Sequence, residues 1–465
     1  MIHVEIMNPF YNPIFLSKIL SKYLFDIDRL KNLNEKELDH YRDNALRNIV
    51  RYAYTVPLYH DKYKKAGVHP NYINKIKDIE KLPVITKEDI RKYYPYGIIS
   101  SKTKKEKLLE ISTSGTTGKK LAIYQDIYDV VQGFFYLIRA IREHEINWRK
   151  DRLTIIADLA PHTIENVFIN RGLLGNLNSS FFRNMQWLNT NNKPDELIKE
   201  INHFNPDFLG GYPGMLGHLA LLKEQGYGEK INPKVIASTG GVLDKNLRKL
   251  IEEVFDAPIF EVYGTTETEI IAFQCKDHHY HIMSDLVHLE FLKEGKPVGS
   301  KEPGKLIVTK LYGNGTPIIR YNAINDIVAP LYEKADCDIN GDLIDRVYGR
   351  DDLALYLTNG RILLPSSISE IYSKVLYELK TTILKDTKII QNNINSIDIE
   401  LVFDEKQKES NLNFEKVFSV IKKGFEEKVG SDIDIRIKKV DKIHRKMSRI
   451  VTKINKKNFE IKQYI

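Results

Sequence analysis

Apolar residues recur at helical spacing through the first hundred residues of the chain. Between residues 33 and 65 they fall mainly on one helical face, and Pro57 interrupts the run because proline cannot continue a helix interior. Thr86 and the acidic residues after it have the pattern of a helix N-cap with an acidic first turn. We therefore expect residues 1–107 to be mainly helical.

A different pattern begins at residue 108, where short apolar runs alternate with amphipathic segments. The runs at 152–158 and 234–240 are typical of buried strands, whereas 129–146 has the spacing of an amphipathic helix. Strands that alternate with helices indicate an α/β fold whose sheets are mainly parallel. From 280 to 330 the pattern is richer in strands, so we expect a β-rich subdomain there.

The pattern changes again beyond residue 350. A short hairpin is followed there by a helix, a strand, a second helix and a second strand. This order predicts a small, separate α+β domain at the C-terminal end of the chain, after a much larger α/β domain.

Composition narrows the class of protein. Of the 465 residues, 42% are hydrophobic and 28% charged, which suits roughly two or three folded domains. Two cysteines are too few for a disulfide-rich scaffold or a zinc-finger array. The N-terminus lacks a signal-peptide pattern, and no stretch reaches the roughly 18 to 20 apolar residues of a membrane span. We therefore expect a soluble, cytoplasmic protein with no membrane partner.

The formal net charge of +8 raises the question of a nucleic-acid partner. Much of the positive excess lies in the last thirty residues and in the patch at 101–107, and no recognition module accompanies it. We therefore expect no nucleic-acid partner.

The segment 112–120, Ser-Thr-Ser-Gly-Thr-Thr-Gly-Lys-Lys, is a candidate phosphate-binding loop. Its glycines let backbone N–H groups turn inward, and its hydroxyls and lysines add further donors. Gly115 and Gly118 are too close together in sequence for a Walker A loop. The alternative is an ordinary turn that joins two strands.

Three polar elements follow later in the chain. Tyr263 ends a predicted strand, and a tyrosine there can stack on a flat ring, while Thr266 and Glu267 can hold a magnesium ion. Asp326 comes after a second strand-like run, and Gly-Arg-Asp-Asp begins at residue 349. Taken singly, each of these elements is also compatible with an ordinary turn.

In this order, the elements resemble the adenylate-forming enzymes, which include acyl-CoA synthetases, nonribosomal adenylation domains and luciferases. The opening segment, with NIVRYAYTVPLYHDKYKKAGVHP and KLPVITKEDIRKYYP, resembles the phenylacetate–CoA ligase family and its capsule-biosynthesis branch. Counterparts of GGYPGMLGHLA at 210–220, STGG at 238–241 and NGRILLP at 359–365 extend the resemblance over nearly the whole chain.

The resemblance implies a nucleotide-binding role for each matching residue. The phosphate loop would consist of Thr113, Ser114, Gly115, Thr116, Thr117, Gly118 and Lys119. Gly240 and Gly241 would contact adenine and border the acyl pocket. In the segment Tyr263, Gly264, Thr265, Thr266 and Glu267, the tyrosine would stack on adenine, Thr266 would contact the α-phosphate and Glu267 would bind Mg²⁺. Asp326 would hold the ribose hydroxyls.

The resemblance also implies a division into domains and a reaction. Residues 1–348 would form the adenylate-forming domain, 349–352 the hinge, with Arg350 in its motif and Asp352 as pivot, and 353–465 a mobile lid. A carboxylic acid would be activated by ATP and Mg²⁺ as its adenylate and then transferred, most simply to coenzyme A. Transfer to an amine, a hydroxyl or a carrier-protein thiol is the first alternative, and a non-catalytic nucleotide-binding relative is the second.

The catalytic lysine of the family would be Lys446, in the segment Ile-His-Arg-Lys-Met-Ser-Arg. The loop before it is several residues short and lacks the family's glycine, so Lys442 and Lys453 remain alternatives. Lys120 stands where the family usually has a proline after its Gly-Lys pair.

Both cysteines lie where many members of the family have cysteines, and the resemblance implies a candidate zinc site there. Cys275, His281 and Cys337 match that pattern, and His278 or His279 would complete a set of four ligands. The alternative is a pair of buried thiols without a metal.

The acyl pocket is the least determined part of the sequence. Phe134, Phe135, Trp187 and Tyr212 are candidates to line it, although aromatic residues at helical spacing are often plain core. The identity of the acid is left open, and the chain would act as a monomer or a homodimer.

Overall fold

The structure is a computed structural model that describes residues 12–112, 121–171, 182–404, 414–430, 432–443, 449–454, 459 and 461–465. A twelve-stranded mixed sheet forms the centre of the larger part of the chain, and a four-stranded sheet forms the centre of the smaller part. In these described ranges no helix is both long enough and apolar enough to cross a bilayer.

The helices predicted for the opening segment are present. They are α1 (Pro13–Phe25), α2 (Arg29–Asn32), α3 (Glu35–Ala53), α4 (Pro57–Lys65) and α5 (Lys87–Tyr93). Pro57 occupies the first turn of α4, where its missing N–H costs no hydrogen bond. The Thr86 side chain accepts from the backbone N–H of Asp89, which confirms the predicted N-cap of α5.

An α/β unit follows the opening helices, as predicted. The hairpin β1 (Leu109–Ser112) and β2 (Ala122–Gln125) precedes five parallel strands in the spatial order β4-β3-β5-β6-β7. These are β3 (Leu153–Ala157), β4 (Met185–Asn189), β5 (Phe208–Gly211), β6 (Val235–Thr239) and β7 (Ile259–Thr265). The helices of this unit are α6 (Ile127–Glu143), α7 (Ile164–Arg171), α8 (Pro194–Phe204), α9 (Pro213–Glu224) and α10 (Lys245–Phe255).

Antiparallel strands continue the same sheet beyond β7. They are β8 (Glu269–Gln274), β9 (Tyr280–Ile282), β10 (Val287–Lys293), β11 (Lys296–Pro297), β12 (Gly304–Lys310), β13 (Asp326–Leu331) and β14 (Leu343–Arg350). Their spatial order from the outer edge is β11-β10-β12-β13-β14-β9-β8. The strand-rich stretch predicted between 280 and 330 is therefore part of the large sheet.

The C-terminal part has the predicted α+β character. A 3₁₀ turn at Asp351–Leu353 separates β14 from two short strands, β15 (Leu355–Tyr356) and β16 (Arg361–Leu363). The remaining elements are α11 (Pro365–Leu379), β17 (Leu384–Asn393), β18 (Ser396–Phe403), α12 (Phe414–Val429), β19 (Asp434–Lys439), β20 (Ile450–Thr452) and β21 (Gln463–Tyr464). Strands β19-β18-β17-β20 form the four-stranded sheet, and α11 packs against α10 and β14.

Candidate functional site

The predicted adenine segment lies at the carboxyl ends of neighbouring parallel strands. Tyr212 directly follows β5 and Gly240 directly follows β6, which is the edge where ligands bind in open α/β sheets. Gly240 has φ +71°, and a Cβ there would lie 2.3 Å from Cε1 of Tyr212. Only glycine fits this position, because any side chain would displace the tyrosine ring. The structure therefore brings Tyr212 and Gly240, two predicted site residues, into contact.

Tyr263 and Asp326 form a short hydrogen bond. The Tyr263 hydroxyl donates to Asp326 Oδ2 over 2.5 Å, although the two residues lie on β7 and at the start of β13. Burial raises the pKa of Asp326 to about 6, while the Tyr263 hydroxyl and the Arg350 guanidinium act in the opposite direction. The residue predicted to stack on adenine and the residue predicted to bind ribose thus occupy one continuous site.

Glu267 is the buried carboxylate of the predicted metal-binding turn. Tyr321 donates to its Oε1 over 3.3 Å, and burial raises the pKa of Glu267 above its ordinary value. The positive charges of Lys87 and Arg350 lie close enough to act against that increase. Before Glu267, a Cβ at Gly264 would lie only 2.4 Å from the carbonyl oxygen of Glu269. The turn that presents Glu267 therefore requires glycine at 264.

Lys87 is a positive charge near Glu267 that the sequence interpretation did not single out. It is the first residue of α5, and burial lowers the pKa of its ammonium although the charge of Glu267 favours protonation. A backbone hydrogen bond holds the segment before α5 beside Tyr321, the residue that donates to Glu267. In this bond the Ile85 N–H donates to the carbonyl of Arg320 over 2.9 Å. The N-cap pattern at Thr86 predicted where α5 begins. It did not indicate that the first turn of this helix lies near Glu267.

Thr265 is the last residue of β7, and Thr266 begins the turn that connects β7 and β8. Thr265 shares a hydrogen bond of 2.8 Å with the hydroxyl of Thr268, and its Oγ1 also accepts from the Thr268 N–H. This pair closes the turn around Thr266. Gly241 follows Gly240 and packs against Pro213 at the start of α9.

The predicted hinge residues are bonded to each other. Nε and an Nη atom of Arg350 donate to the two carboxylate oxygens of Asp352, both over 2.8 Å. Asp351 donates its N–H to Asn325, the residue before Asp326, and accepts from the Tyr356 hydroxyl over 3.0 Å. In the sheet, Arg350 is directly paired with Asp326. The end of β14 is thus tied to the predicted ribose-binding residue.

A second contact fixes the orientation of the C-terminal part. Asp244, the N-cap of α10, accepts from the hydroxyls of Ser369 over 2.7 Å and Ser373 over 2.6 Å, both on α11. The side chain of Asn246 donates to the carbonyl of Glu370 over 3.0 Å. The first long helix of the C-terminal part is therefore hydrogen-bonded to the first turn of α10.

Two predicted elements lie outside the described residues. They are the phosphate loop, Thr113 to Lys119, and the candidate catalytic lysine, Lys446. The strands on either side of the loop are paired antiparallel, and the Ser112 N–H donates to the carbonyl of His162 over 3.0 Å. Of the alternative lysines, Lys442 is exposed, and Lys453 donates to Asn392 over 2.7 Å.

The four aromatic candidates for the acyl pocket have different surroundings. Phe134 stacks on Phe168 at 5.0 Å between ring centroids, and Phe168 also contacts Trp187. Phe135 faces Tyr23 of α1 at 5.5 Å. Of the four, Tyr212 is the one whose ring touches the predicted adenine segment.

The cysteines and histidines form a compact cluster. Ligand atoms of Cys275, His279, His281 and Cys337 all lie within 4.8 Å of one another, and Cys337 Sγ is 3.2 Å from His281 Nε2. Burial lowers the pKa of His281 to about 4, which favours the neutral imidazole that can bind a metal. His279 joins the cluster instead of His278. Two sulfur and two imidazole ligands match the donors that structural zinc prefers.

Comparison with known proteins finds similar sequences and similar folds. The family model of the CapK C-terminal domain matches residues 355–456. Protein CapK of Staphylococcus aureus is 24% identical over 428 residues, which are 86% of this chain and 86% of that protein. The phenylacetate-coenzyme A ligase of Escherichia coli K12 is 24% identical over 366 residues, covering 74% of this chain and 78% of the ligase.

Solved structures of a 2-hydroxyisobutyryl-CoA ligase share the fold. Its postadenylation state, bound to 2-HIB-AMP, matches with a TM-score of 0.72 at 16% identity over 93% of this chain and 92% of that one. Its thioesterification state, bound to 2-HIB-AMP and CoA, matches with a TM-score of 0.61 at 17% identity over 91% of each chain.

Proposed function

Because the chain belongs to the adenylate-forming ligases, as a homologue of CapK and the phenylacetate–CoA ligases, we propose that it joins a carboxylic acid to a thiol in an ATP-dependent reaction. In the first half-reaction the carboxylate attacks the α-phosphorus of ATP, the bond to pyrophosphate breaks, and an acyl-adenylate forms. In the second, the thiol of coenzyme A attacks the acyl carbon and AMP leaves with the bonding electrons.

The observation that carries this proposal is the cluster formed by the buried carboxylates Asp326 and Glu267 with the half-buried side chains of Tyr263 and Arg350. Asp326 offers a carboxylate for two ribose hydroxyls. Tyr263 offers a ring for adenine, and it lies on β7, the strand paired with the one that Gly240 follows. A buried carboxylate that accepts two hydroxyls makes charge-assisted hydrogen bonds, which are stronger than neutral ones. Tyr263, Asp326 and Arg350 come from three strands far apart in sequence, and Glu267 comes from the turn that follows β7.

Glu267 is the residue we assign to Mg²⁺. Its carboxylate oxygens are the hard donors that this ion prefers, and the turn that holds it is fixed by Gly264 and Thr265. When bound, Mg²⁺ neutralises phosphate charge in phosphoryl transfer. Lys87 adds a protein-borne positive charge beside Glu267, and we assign it to the polyphosphate of ATP. We assign Lys446 to the developing charge on the α-phosphate and the phosphate loop, Thr113–Lys119, to the phosphoryl oxygens.

We propose that the C-terminal part, from residue 353, rotates between the half-reactions about Asp352. The higher TM-score with the postadenylation state than with the thioesterification state supports assigning the present orientation to the first half-reaction. Rotation would break the hydrogen bonds of Asp244 to Ser369 and Ser373 and reorganise the Arg350–Asp352 pair.

Assay of each half-reaction tests the proposal. A panel of carboxylic acids is screened for ATP–pyrophosphate exchange, and active acids are then assayed for AMP release with and without coenzyme A. Exchange that needs an acid, with AMP release that needs coenzyme A, is the expected result. AMP release driven by an amine, a hydroxyl or a carrier protein instead of coenzyme A would select the alternative acceptor. Nucleotide binding without exchange for any acid would select the non-catalytic relative.

We further propose that Cys275, His279, His281 and Cys337 bind one structural zinc ion. Their donor set and the 4.8 Å limit on their mutual distances support this assignment. Cys275 and His279 lie between β8 and β9, His281 lies in β9, and Cys337 lies in the segment before β14. Such an ion would stabilise the fold where two distant segments meet.

A further inference from the structure

Glu269 lies two residues after the assigned Mg²⁺ ligand and has an unusual backbone conformation. Its φ is +62°, a left-handed value that residues other than glycine rarely adopt. Glu269 is the first residue of β8 and is paired with Thr265 at the end of β7, so these two residues close the turn that contains Glu267. A strained residue persists where the surrounding structure holds it in place, and such residues cluster at functional sites.

A buried ion pair holds Glu269 in this position. The ammonium of Lys310, at the end of β12, donates to Glu269 Oε1 over 3.2 Å, and the two side chains are only 5% and 3% exposed. The other carboxylate oxygen lies against α6, where a Cβ at Gly133 would overlap with it. Glycine costs free energy inside a helix, and here it makes room for the carboxylate. Residues of three elements, β8, β12 and α6, are therefore fitted around one side chain.

Strand β12 also holds the side chain that touches Glu267. Val308 and Tyr321 exchange two backbone hydrogen bonds, of 3.0 and 2.9 Å, and the Tyr321 side chain is fully buried. The hydroxyl of Tyr321 donates to Glu267 Oε1 over 3.3 Å. β12 thus reaches Glu267 by two routes, through Lys310 to the backbone of the turn and through Tyr321 to the carboxylate itself.

We propose that Lys310, Glu269 and Tyr321 are positioning residues, which set the Glu267 carboxylate in the orientation that binds Mg²⁺. This inference rests on the proposed function, because that function assigns Glu267 to the ion. A carboxylate that binds a metal is oriented by the groups hydrogen-bonded around it, and loss of such a group typically lowers metal affinity about 10- to 100-fold.

The alternative is that the pair of Lys310 and Glu269 only stabilises the fold. Replacing a buried ion pair by apolar side chains of similar volume is often neutral for stability or increases it, because two charges no longer have to be desolvated. Stability alone would therefore be served at least as well by an apolar pair. The ion pair differs in fixing a direction, because its hydrogen bond determines where the Glu269 carboxylate, and with it the end of the turn, must lie.

Calorimetric titration of the full chain with ATP tests this proposal without an acid substrate. ATP affinity is measured with saturating Mg²⁺ and again with EDTA, and the ratio of the two values is the gain due to the metal. We expect Tyr321→Phe, which removes a single oxygen atom, to lower this gain roughly tenfold. Affinity for adenosine, which has no phosphate to share a metal, should stay at the wild-type value. With Mn²⁺ in place of Mg²⁺, the electron paramagnetic resonance spectrum of the ATP complex should also change.

Two further variants separate positioning from stability. Tyr63→Phe is the matched control, because the buried hydroxyl of Tyr63 has no hydrogen-bond partner within the described ranges, and it should keep the wild-type gain. Glu269→Leu combined with Lys310→Met removes both charges, so neither is left buried and unpaired. This double variant should keep a thermal midpoint and an adenosine affinity close to those of the wild type, and it should lower the gain due to Mg²⁺ as Tyr321→Phe does.

The outcomes distinguish this inference from the proposed function. A wild-type gain retained by Tyr321→Phe or by the double variant would overturn the positioning role of the residues changed in it and leave Glu267 as the metal ligand. Equal losses of affinity for ATP with Mg²⁺, for ATP with EDTA and for adenosine would also overturn it, because these residues would then only stabilise the fold. ATP affinity of the wild type that does not depend on Mg²⁺ would overturn the assignment of Glu267 itself, and this inference with it.

Discussion

The hydroxyl of Ser373 donates to Asp244 Oδ1 over 2.6 Å and so joins the first long helix of the C-terminal part to the N-cap of α10. Ser369 donates to the other oxygen of the same carboxylate. One carboxylate therefore holds two serines on successive turns of α11. If the C-terminal part rotates, these bonds are specific to one of its orientations.

Removing the two hydroxyls should shift the balance between the half-reactions. We expect Ser369→Ala with Ser373→Ala to slow acid-dependent pyrophosphate exchange several-fold and to leave conversion of a supplied acyl-adenylate unchanged or faster. Hydrogen bonds to a charged group contribute about 1.5–3 kcal/mol each, which is enough to change the population of two orientations. Ser366→Ala is the control, because its buried Oγ lacks a hydrogen-bond partner in the described part of the chain. Equal loss in both half-reactions would mean that the serines only stabilise the fold.

Asp326 should govern nucleotide affinity and its pH dependence. Asp326→Ala should weaken binding of adenosine at least about tenfold, because two charge-assisted hydrogen bonds are lost. The pKa of this carboxyl, raised to about 6 by burial, means that the free protein holds a proton there at lower pH. Since the ionised form accepts the ribose hydroxyls, affinity should rise with pH through about 6 and then level off. Asp326→Asn should flatten the profile.

Calorimetric titration with adenosine measures this effect, because the ligand has no phosphate that titrates in the same range. Asp345→Ala, at an exposed position on β14, is the matched control and should keep the wild-type profile. Wild-type affinity in Asp326→Ala would remove this residue from the nucleotide site.

Lys87 should act on the phosphates. Lys87→Ala should lower the rate of pyrophosphate exchange on the order of 10²-fold and leave adenosine binding intact, because adenosine has no phosphate for the ammonium to contact. Lys92→Ala, at an exposed position of the same helix, should exchange at the wild-type rate. Loss of adenosine binding in Lys87→Ala would show that the change disturbs Glu267 and its neighbours instead.

Lys446 should matter in the first half-reaction alone. We expect Lys446→Ala to reduce pyrophosphate exchange by on the order of 10²–10³, as for other single electrostatic stabilisers, and still to convert a supplied acyl-adenylate. Lys442→Ala and Lys453→Ala serve as comparisons. If one of these two loses exchange and Lys446→Ala does not, the catalytic lysine has been assigned to the wrong position.

The Cys–His cluster should contain zinc. Elemental analysis of protein never exposed to a chelator should find about one zinc ion per chain. Cys275→Ser should lose the ion and lower the thermal midpoint, because metal binding is coupled to folding. His278→Ala should keep it, since His278 is not part of the cluster. Zinc-free wild-type protein with normal stability would favour the two unliganded thiols.

Local patterns predicted the fold well because they depend on neighbouring residues. The Thr86 cap, the parallel strands and the C-terminal α+β part each have a signature within a few residues. Lys87 was missed because its place beside Glu267 depends on a backbone contact between Ile85 and Arg320, which are distant in the sequence. Tertiary contacts of that kind leave no periodic pattern.

Strand geometry alone distinguishes His279 from His278 as the fourth member of the Cys–His cluster. His279 and His281 are two residues apart, and side chains at that spacing point to the same face of an extended segment. His278 has φ +61° and lies in the turn. Alternation therefore favours His279, and the compact cluster agrees with it.

The paired Arg350 and Asp352 have a consequence for how the enzyme would cycle. Arg350 is the last residue of β14, a strand held between β13 and β9, so the guanidinium is anchored in the sheet, whereas Asp352 already belongs to the turn that leaves it. Rotation about Asp352 must release this pair and the serines bound to Asp244 together. Intermediate angles would retain neither set of bonds, so the lid should behave as a two-position switch, with a free-energy barrier between its positions.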